Sequence, residues 1–345
     1  MKKILLGMSG GVDSTVAAYL LKKDGWEVVG ATLDLLPCTD AAMLESAKKA
    51  ADDLGIEHYV LSFKDEFQKC VTDNFTSEYL CGRTPSPCIE CNRHIKFGAM
   101  MKAAEDMGIE YIATGHYARV EYDGEKNRYI LKKAACIAKD QSYMLYTLSQ
   151  KQLSKVAFPL QNLSKDEVRA IAREIGLDVA EKKDSQEICF IPDDDYIGFL
   201  SENVSFLPTE GEFVDTEGNV LGKHQGIHRY TVGQRKGLGI AFGKPMFVVG
   251  IDAEKNQVIL GESGSEYSNS LIADKVNLIP LDKIENPIKA EIKVRYGNKI
   301  YNGTVFPYGE NSVRVEFDTP ARAVTPGQSV VFYDGDTVIG GGVIR

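Results

Sequence analysis

The chain has 345 residues, 43% of them hydrophobic and 26% charged; this is globular composition and excludes a disordered, fibrous or low-complexity protein. Its length exceeds one ordinary core, so two or three domains are expected, and no apolar run approaches the roughly 18 residues of a membrane helix. A net charge of −9 argues against a broad basic field. Any nucleic acid must then be held by a local patch or by shape, and neither DNA nor a membrane is an expected partner.

Met1-Lys2-Lys3 runs directly into Ile4-Leu5-Leu6 with no signal-peptide pattern, so a cytoplasmic location is expected. Stretches 2–8, 26–34, 57–62 and 110–115 read as short apolar strands, and 14–24, 41–54, 64–80 and 95–107 have helical periodicity. Such alternation predicts a parallel sheet covered on both faces, with its ligand at the carboxyl ends of the strands where strand order reverses. The pattern from 140 to 177 is helical, and Ser164-Lys165-Asp166-Glu167 opens its second helix as a capping box. Beyond about residue 205, Gly, Asn and Asp turns separate short alternating strands, as in 211–214, 246–250, 257–260, 290–295, 313–317 and 329–332. The expected division is an α/β domain over 1–204, helical at 140–200, then a central β domain over 205–266 and a C-terminal β-barrel over 267–345.

Gly7-Met8-Ser9-Gly10-Gly11-Val12-Asp13-Ser14 lies between the first strand and the first helix. Glycines there let the backbone turn tightly, and freed amides at a helix start point at an anion. Ser9 and Ser14 add hydroxyls, and Asp13 is placed to hold Mg²⁺ or polarise the site. The plainer reading is a turn capped by Asp or Ser. No Lys-Ser/Thr follows the glycines and the G-x-G-x-x-G spacing is absent, so this is neither a Walker A loop nor a dinucleotide fingerprint.

Seven cysteines are too few for a disulfide scaffold and read first as metal or catalytic groups. Cys88-Ile89-Glu90-Cys91 follows the proline-fixed Arg83-Thr84-Pro85-Ser86-Pro87 and precedes a helix, a position that lowers the pKa of Cys91. Cys189 lies far off in Ile188-Cys189-Phe190. Cys38, Cys70, Cys81 and Cys136 read as small buried hydrophobes. A zinc site completed by Cys81 and His94 leaves Cys189 unexplained and is the weaker reading.

The phosphate loop resembles that of the PP-loop ATP pyrophosphatases, and the whole chain resembles the tRNA-specific 2-thiouridylase family. Matching blocks include Gly7–Ser14, Arg83–Pro87, Cys91-Asn92, Ile95-Lys96-Phe97, Ala113–Tyr117, Lys139–Tyr143, Asp184-Ser185, Ile188–Ile191, Gly222–Gly226, Gly233–Gly239 and Val324–Gln328. The resemblance implies an adenine nucleotide alpha hydrolase-like domain followed by two small all-β domains. It implies that ATP, with Mg²⁺, adenylates the C2 oxygen of the wobble uridine of tRNA, after which sulfur displaces AMP. The donor would be a sulfur-carrier protein or inorganic sulfide.

By the same resemblance, residues 7–14, Leu33 and Gly115 hold ATP, Cys91 is the nucleophile and Cys189 carries the persulfide. Ser86, Pro87 and Cys88 match the loop that meets the target base. His116, Lys139, Asp140, Gln141, Arg295, Tyr296 and Gln328 match tRNA-contacting positions. Taken locally, Lys139 and Arg295 read as surface charges, His116 as a hydrogen-bonded turn residue and Gln328 as turn chemistry. Lys293, Arg295 and Lys299, with Arg229, Arg235 and Lys236, are candidates for a local basic patch.

Two departures from the family pattern stand out. Ser86-Pro87-Cys88 replaces Asn-Pro-Asp, which creates the C-x-x-C, and Gln186-Glu187 replaces a Thr-Gly pair. Cys88, Cys91 and Cys189 then match the ligand set of a [4Fe–4S] cluster with one open iron. The cluster-free rival passes persulfide sulfur from Cys189 through Cys91. Two wider rivals are another adenylating synthetase and a silent RNA-binding module.

Overall fold

The computed structural model describes residues 2–36, 41–177, 188–191, 194–240, 243–297 and 299–345. Cys38, Asp184-Ser185 and Gln186-Glu187 lie outside the described residues. The chain divides into two compact units. One comprises Met1–Val71, Cys88–Gln186 and Asp336–Val338; the other comprises Thr72–Pro87, Glu187–Gly335 and Ile339–Arg345.

The first unit is built on a parallel sheet. Its strands are β1 (Lys3–Gly7), β2 (Glu27–Asp34), β3 (Glu57–Ser62) and β4 (Tyr111–Ala113); β5 (Ala118–Asp123) and β6 (Arg128–Lys133) form a hairpin, and β7 (Val156–Ala157) completes the sheet. The sheet order is β3-β2-β1-β4-β7, parallel throughout. Ile4, Leu5 and Leu6 are fully buried, as a central strand with both faces covered requires. The chain leaves β1 toward β2 and β3 on one side, then returns to β4 on the other. Strand order therefore reverses between β1 and β4, which places the ligand crevice at their carboxyl ends. Helices Val12–Lys23 and Lys165–Glu174 pack together and share a core of Val16, Ala17, Leu21, Val168 and Ala172.

Several elements differ from their sequence reading, each for a local reason. The 64–80 stretch is not one α-helix, because Gln68–Thr72 winds as a π-helix between Lys64–Phe67 and Asp73–Leu80. The next helix begins at Pro87, whose fixed φ suits a first turn, and continues as a π-helix over Cys91–Ala99. From 140 to 177 only Gln150–Leu153 and Lys165–Glu174 are α-helical. Asp140 there accepts backbone N–H groups of Ala134 and Ser142, and Gln141 accepts that of Tyr117, so side chains compete with a helical ladder. The capping box forms at Ser164 and Glu167. The β5–β6 hairpin was not read from the sequence.

The second unit holds two β structures. β8 (Gly211–Val214), β9 (Val220–His224), β10 (Met246–Asp252) and β11 (Gln257–Glu262) form a sheet in the order β10-β11-β8-β9. β12 (Tyr267–Leu278), β13 (Ile288–Lys293), β14 (Tyr301–Pro307), β15 (Ser312–Arg322), β16 (Ser329–Asp334) and β17 (Thr337–Ile344) follow in the order β12-β15-β14-β13-β16-β17. β12 also pairs with β17, so the six strands close into a barrel with no open edge. Its interior is filled by Ile292, Val305, Val315, Val330 and Phe332, all nearly or fully buried. Among the described residues no helix is long and apolar enough to cross a membrane.

Candidate active site

The loop from β1 to the first helix is shaped by two glycines with different duties. Gly10 has φ +67°, and a Cβ there would stand 2.8 Å from the Ala47 nitrogen and 2.9 Å from the Ser46 side chain. Gly11, at φ −93°, is the N-cap of the helix, and no side chain caps that end. Asp13 and Ser14 therefore do not act as caps. Ser14 Oγ instead accepts from the Ser9 amide at 3.2 Å and donates to the Gly11 carbonyl at 3.1 Å, bending the loop back on itself. Met8 is buried, its carbonyl held by Thr32 Oγ1 at 2.9 Å. Just beyond β4, a Cβ on Gly115 would lie 3.2 Å from the Asp13 and Ser14 backbone, a tight contact that its missing side chain avoids. Leu33 is half-buried near the carboxyl end of β2.

Asp13 sits in a network the sequence did not reveal. Lys165 Nζ lies 2.9 and 2.8 Å from its two carboxylate oxygens, and the Tyr117 hydroxyl donates to one of them at 2.7 Å. Lys165 is buried although charged. Its sequence signal, a capping box, pointed to a helix start and not to a site. Residues 7–14 contain no basic side chain, and Lys165 brings an ammonium to the loop. Both oxygens of Asp13 are engaged by the Lys165 ammonium. A tight loop, an uncapped helix start and a sequestered ammonium together fit a polyphosphate.

The thiols are not equivalent. Cys88 is exposed in the first turn after Pro87, whereas Cys91 is buried one turn further on. The expectation that a helix start lowers the Cys91 pKa is overturned. Burial pushes the thiol up, and the Lys96 ammonium opposes that effect only in part. Asn92 beside it is almost fully buried; its Nδ2 donates to the Met144 carbonyl at 3.1 Å, while its Oδ1 has no partner. Cys189 is exposed, and the neighbouring Phe190 packs edge-on against Phe75 and Phe199 at 5.4 and 5.2 Å. Cys70 and Cys136 are half-buried; Cys81 is exposed, against the reading of a buried hydrophobe. His94 stands 3.2 Å from Glu90. Among the described residues no three or more His, Cys, Asp or Glu side chains gather to hold a metal ion.

The positions expected to meet tRNA divide into exposed and internally engaged groups. Arg295 and Tyr296 are exposed, as are Lys299, Arg235 and Lys236. Lys293 is buried over the Tyr333 ring at 5.5 Å and leaves the proposed basic patch, and Arg229 is only half-exposed. Asp140 is buried, its carboxylate taken by Ala134, the Ser142 amide and the Ser142 hydroxyl. Gln141 pairs with the Tyr117 amide at 3.0 Å, and Lys139 ends a 3₁₀ turn, half-buried. His116 is buried between Phe97 and Phe158; its Nδ1 is 2.7 Å from Thr114 Oγ1, and burial holds its pKa well below the usual histidine value. Gln328 donates to the carbonyls of Thr84 and Pro85 at 3.1 and 2.8 Å. Ser86 and Pro87 are half-buried.

Comparison with known proteins covers the whole chain. Residues 2–193 match the tRNA methyl transferase HUP domain family, 198–262 the tRNA methyl transferase PRC-barrel domain family, and 268–344 the aminomethyltransferase beta-barrel domain family. A tRNA-specific 2-thiouridylase MnmA of Acetivibrio thermocellus is 53% identical over 100% of this chain and 99% of its own length. That of Clostridium acetobutylicum is 50% identical, again over 100% and 99%. A solved 4-thiouridine synthetase–RNA complex with bound ATP is a distant likeness, 18% identical over 58% of this chain and 50% of its own, with a TM-score of 0.37.

Proposed function

The chain belongs to the MnmA family of tRNA-specific 2-thiouridylases, and we propose that it is an ATP-dependent tRNA-uridine 2-sulfurtransferase acting at C2 of the wobble uridine. The observation that carries this reading is the loop of Gly10 and Gly11 at the strand-order reversal, with the Lys165 ammonium on Asp13 beside it. In the reaction the uridine C2 oxygen attacks the α-phosphorus of ATP, pyrophosphate leaves, and the C2–O bond becomes a C2–OAMP ester. A sulfur nucleophile then adds at C2 and AMP departs with that oxygen. Residues 7–14, Leu33 and Gly115 hold the nucleotide, with Mg²⁺ as its counter-ion, and Lys165 stabilises charge as pyrophosphate separates.

Sulfur arrives as a persulfide on Cys189, an exposed thiol open to a donor. Its terminal sulfur bonds to C2. Cys91, giving up its thiol proton as it reacts, then attacks the Cys189 sulfur, breaking the S–S bond and leaving a Cys91–Cys189 disulfide with sulfur on the base. Ser86, Pro87 and Cys88 lie against the target base, and Arg295 and Tyr296 contact tRNA from the second unit. A second reading follows from the C-x-x-C itself. Cys88 and Cys91 lie one turn apart in the chain, which supplies two of the three thiols a [4Fe–4S] cluster with an open iron needs. The third thiol would be Cys189, which both sulfur routes require to meet Cys91.

The test is thiolation of an unmodified tRNA transcript with ATP and a persulfide-loaded carrier, with a thiol reductant to reopen the Cys91–Cys189 disulfide between turnovers, read as 2-thiouridine by nucleoside mass spectrometry. Cys91→Ser and Asp13→Ala should each abolish product; full activity in either variant overturns the reading. Iron and sulfide analysis after anaerobic purification separates the two sulfur routes. Iron-free, fully active protein supports the thiol route, and activity that requires bound iron replaces it with the cluster.

A further inference from the structure

Gln328 stands at a position the family resemblance assigns to tRNA contact, yet its amide group is already committed. A glutamine Nε2 carries two protons, and here they reach the carbonyls of Thr84 and Pro85. These acceptors belong to the segment that ends at Pro87, where the Cys88–Cys91 helix begins. Pro85 is buried and, like Pro87, has no N–H to anchor the segment by itself. The barrel supplies the missing bonds. The Thr84 amide donates to the Pro326 carbonyl at 2.9 Å, and Arg83 donates to the Ile344 carbonyl at 3.3 Å. Gly327, at φ +90°, passes so close that a Cβ would stand 2.8 Å from the Thr84 oxygen and 2.9 Å from Glu78 Oε2.

We propose that Gln328 is a positioning residue: from the C-terminal barrel it clasps Thr84 and Pro85, and so fixes where the Ser86-Pro87-Cys88 loop and the turn bearing Cys91 start. A barrel that binds RNA and also grips this segment can transmit the arrival of tRNA to the loop that meets the base. The catalytic part of this inference rests on the proposed function; the clasp itself does not.

The experiment uses the full chain in two arms. Hydrogen exchange over residues 82–90, measured without tRNA or ATP, reads the clasp alone. Gln328→Met keeps side-chain length without a donor, and Gln328→Glu turns a donor into an acceptor. Gly327→Ala pushes the same segment from the other side while leaving Gln328 intact. All three should speed exchange there by tenfold or more, with exchange in the β1–β2 region unchanged. The second arm is steady-state thiolation, in which kcat should fall at least tenfold while KM for tRNA moves less than threefold. Exchange within twofold of the parent in all three variants overturns the clasp, as does a raised KM with unchanged kcat, the signature of a direct tRNA contact. Faster exchange in a protein whose parent shows no thiolation keeps the clasp and rejects only the functional reading on which its catalytic role rests.

Discussion

The Lys165 ammonium sits 2.9 and 2.8 Å from the two carboxylate oxygens of Asp13, a residue 152 positions away that belongs to the phosphate loop. The pair is asymmetric in exposure, with a nearly buried lysine side chain facing a carboxylate that is 31% accessible. An incoming polyphosphate carries more negative charge than Asp13 and competes for the same ammonium. Lys165→Ala should therefore weaken ATP binding at least tenfold, with a smaller loss in Lys165→Arg, whose guanidinium does not fit the site of a point-like ammonium. It should also cost about 1–3 kcal/mol of stability by leaving Asp13 without its cation. Titration calorimetry with ATP and denaturant melts check both effects. Parental ATP affinity in Lys165→Ala would remove the lysine from the nucleotide site.

The two loop glycines should separate folding from binding. At Gly10 the left-handed backbone and the contact with Ala47 both resist a side chain. Gly10→Ala should lose about 1–2 kcal/mol from backbone conformation, more from the clash, and ATP binding with them. Gly11 has an ordinary φ and only Ser9 Oγ near its would-be Cβ, at 3.4 Å. Gly11→Ala should melt within about 0.5 kcal/mol of the parent and still bind ATP more weakly, because its methyl occupies the approach to the helix start. Equal ATP affinity in Gly11→Ala and parent would show that no phosphate comes near this turn.

What the sequence made legible follows from how local each signal is. The glycine turn between β1 and the first helix, the capping box at Ser164 and the strand–helix alternation are marked in neighbouring residues, and the structure contains them. The closed barrel was legible as regularly spaced strands, although its closure through β12 and β17 is a long-range pairing with no local mark. Lys165 was invisible as a site residue because its partner is set by packing of two helices. The environment of Cys91 was misread for a related reason. Proximity to a helix start is a sequence feature, whereas burial is a tertiary one, and burial dominates the thiol. The plain reading of His116 as a hydrogen-bonded turn residue matches its bond to Thr114, whereas the local turn reading of Gln328 misses side-chain bonds that reach Thr84 and Pro85, far off in sequence.

Burial of Cys91 gives a pH signature. Its pKa is raised, so at neutral pH the thiolate is scarce and alkylation is slow. With iodoacetamide at pH 7.5, exposed Cys88 and Cys189 should label at least tenfold faster than Cys91 by peptide mass spectrometry. The Cys91 rate should keep climbing with pH beyond the ordinary thiol range. The stability sign follows by linkage. Above that range the unfolded chain releases the thiol proton while the folded chain retains it, so the fold loses stability as pH rises. Cys91→Ala should flatten that alkaline loss; a Cys91 rate that plateaus near neutrality would contradict the burial account.

Acid should act through His116 in the opposite direction. Its folded pKa lies well below the usual value, so it stays neutral beside Thr114, Phe97 and Phe158. Below about pH 6.5 the unfolded chain takes up a proton that the folded chain refuses, and stability falls by up to about 1.4 kcal/mol per pH unit per such group. Burial also lowers the pKa values of His58, His224 and His228, so the parent should lose stability steeply between pH 6.5 and 5. His116→Gln should remove one proton's share of that slope, measured by urea melts across the interval. An unchanged slope would place the acid sensitivity elsewhere.

Two neighbouring basic residues at the end of β13 should behave as opposites. Arg295 projects into solvent beside exposed Tyr296, whereas Lys293 is buried over the Tyr333 ring at 5.5 Å. If the barrel contacts tRNA through its surface charges, Arg295→Ala should weaken tRNA binding about threefold to tenfold. The slope of log affinity against log salt should fall by about one, with melting unchanged. Lys293→Ala should leave that slope intact and lower stability by about 1–2 kcal/mol, because its stem and its cation–π contact are lost from a packed position. Fluorescence binding titrations at four salt concentrations, paired with denaturant melts, distinguish the two. A parental salt slope in Arg295→Ala would move the RNA-binding face away from this end of the barrel, toward the exposed Arg235 and Lys236.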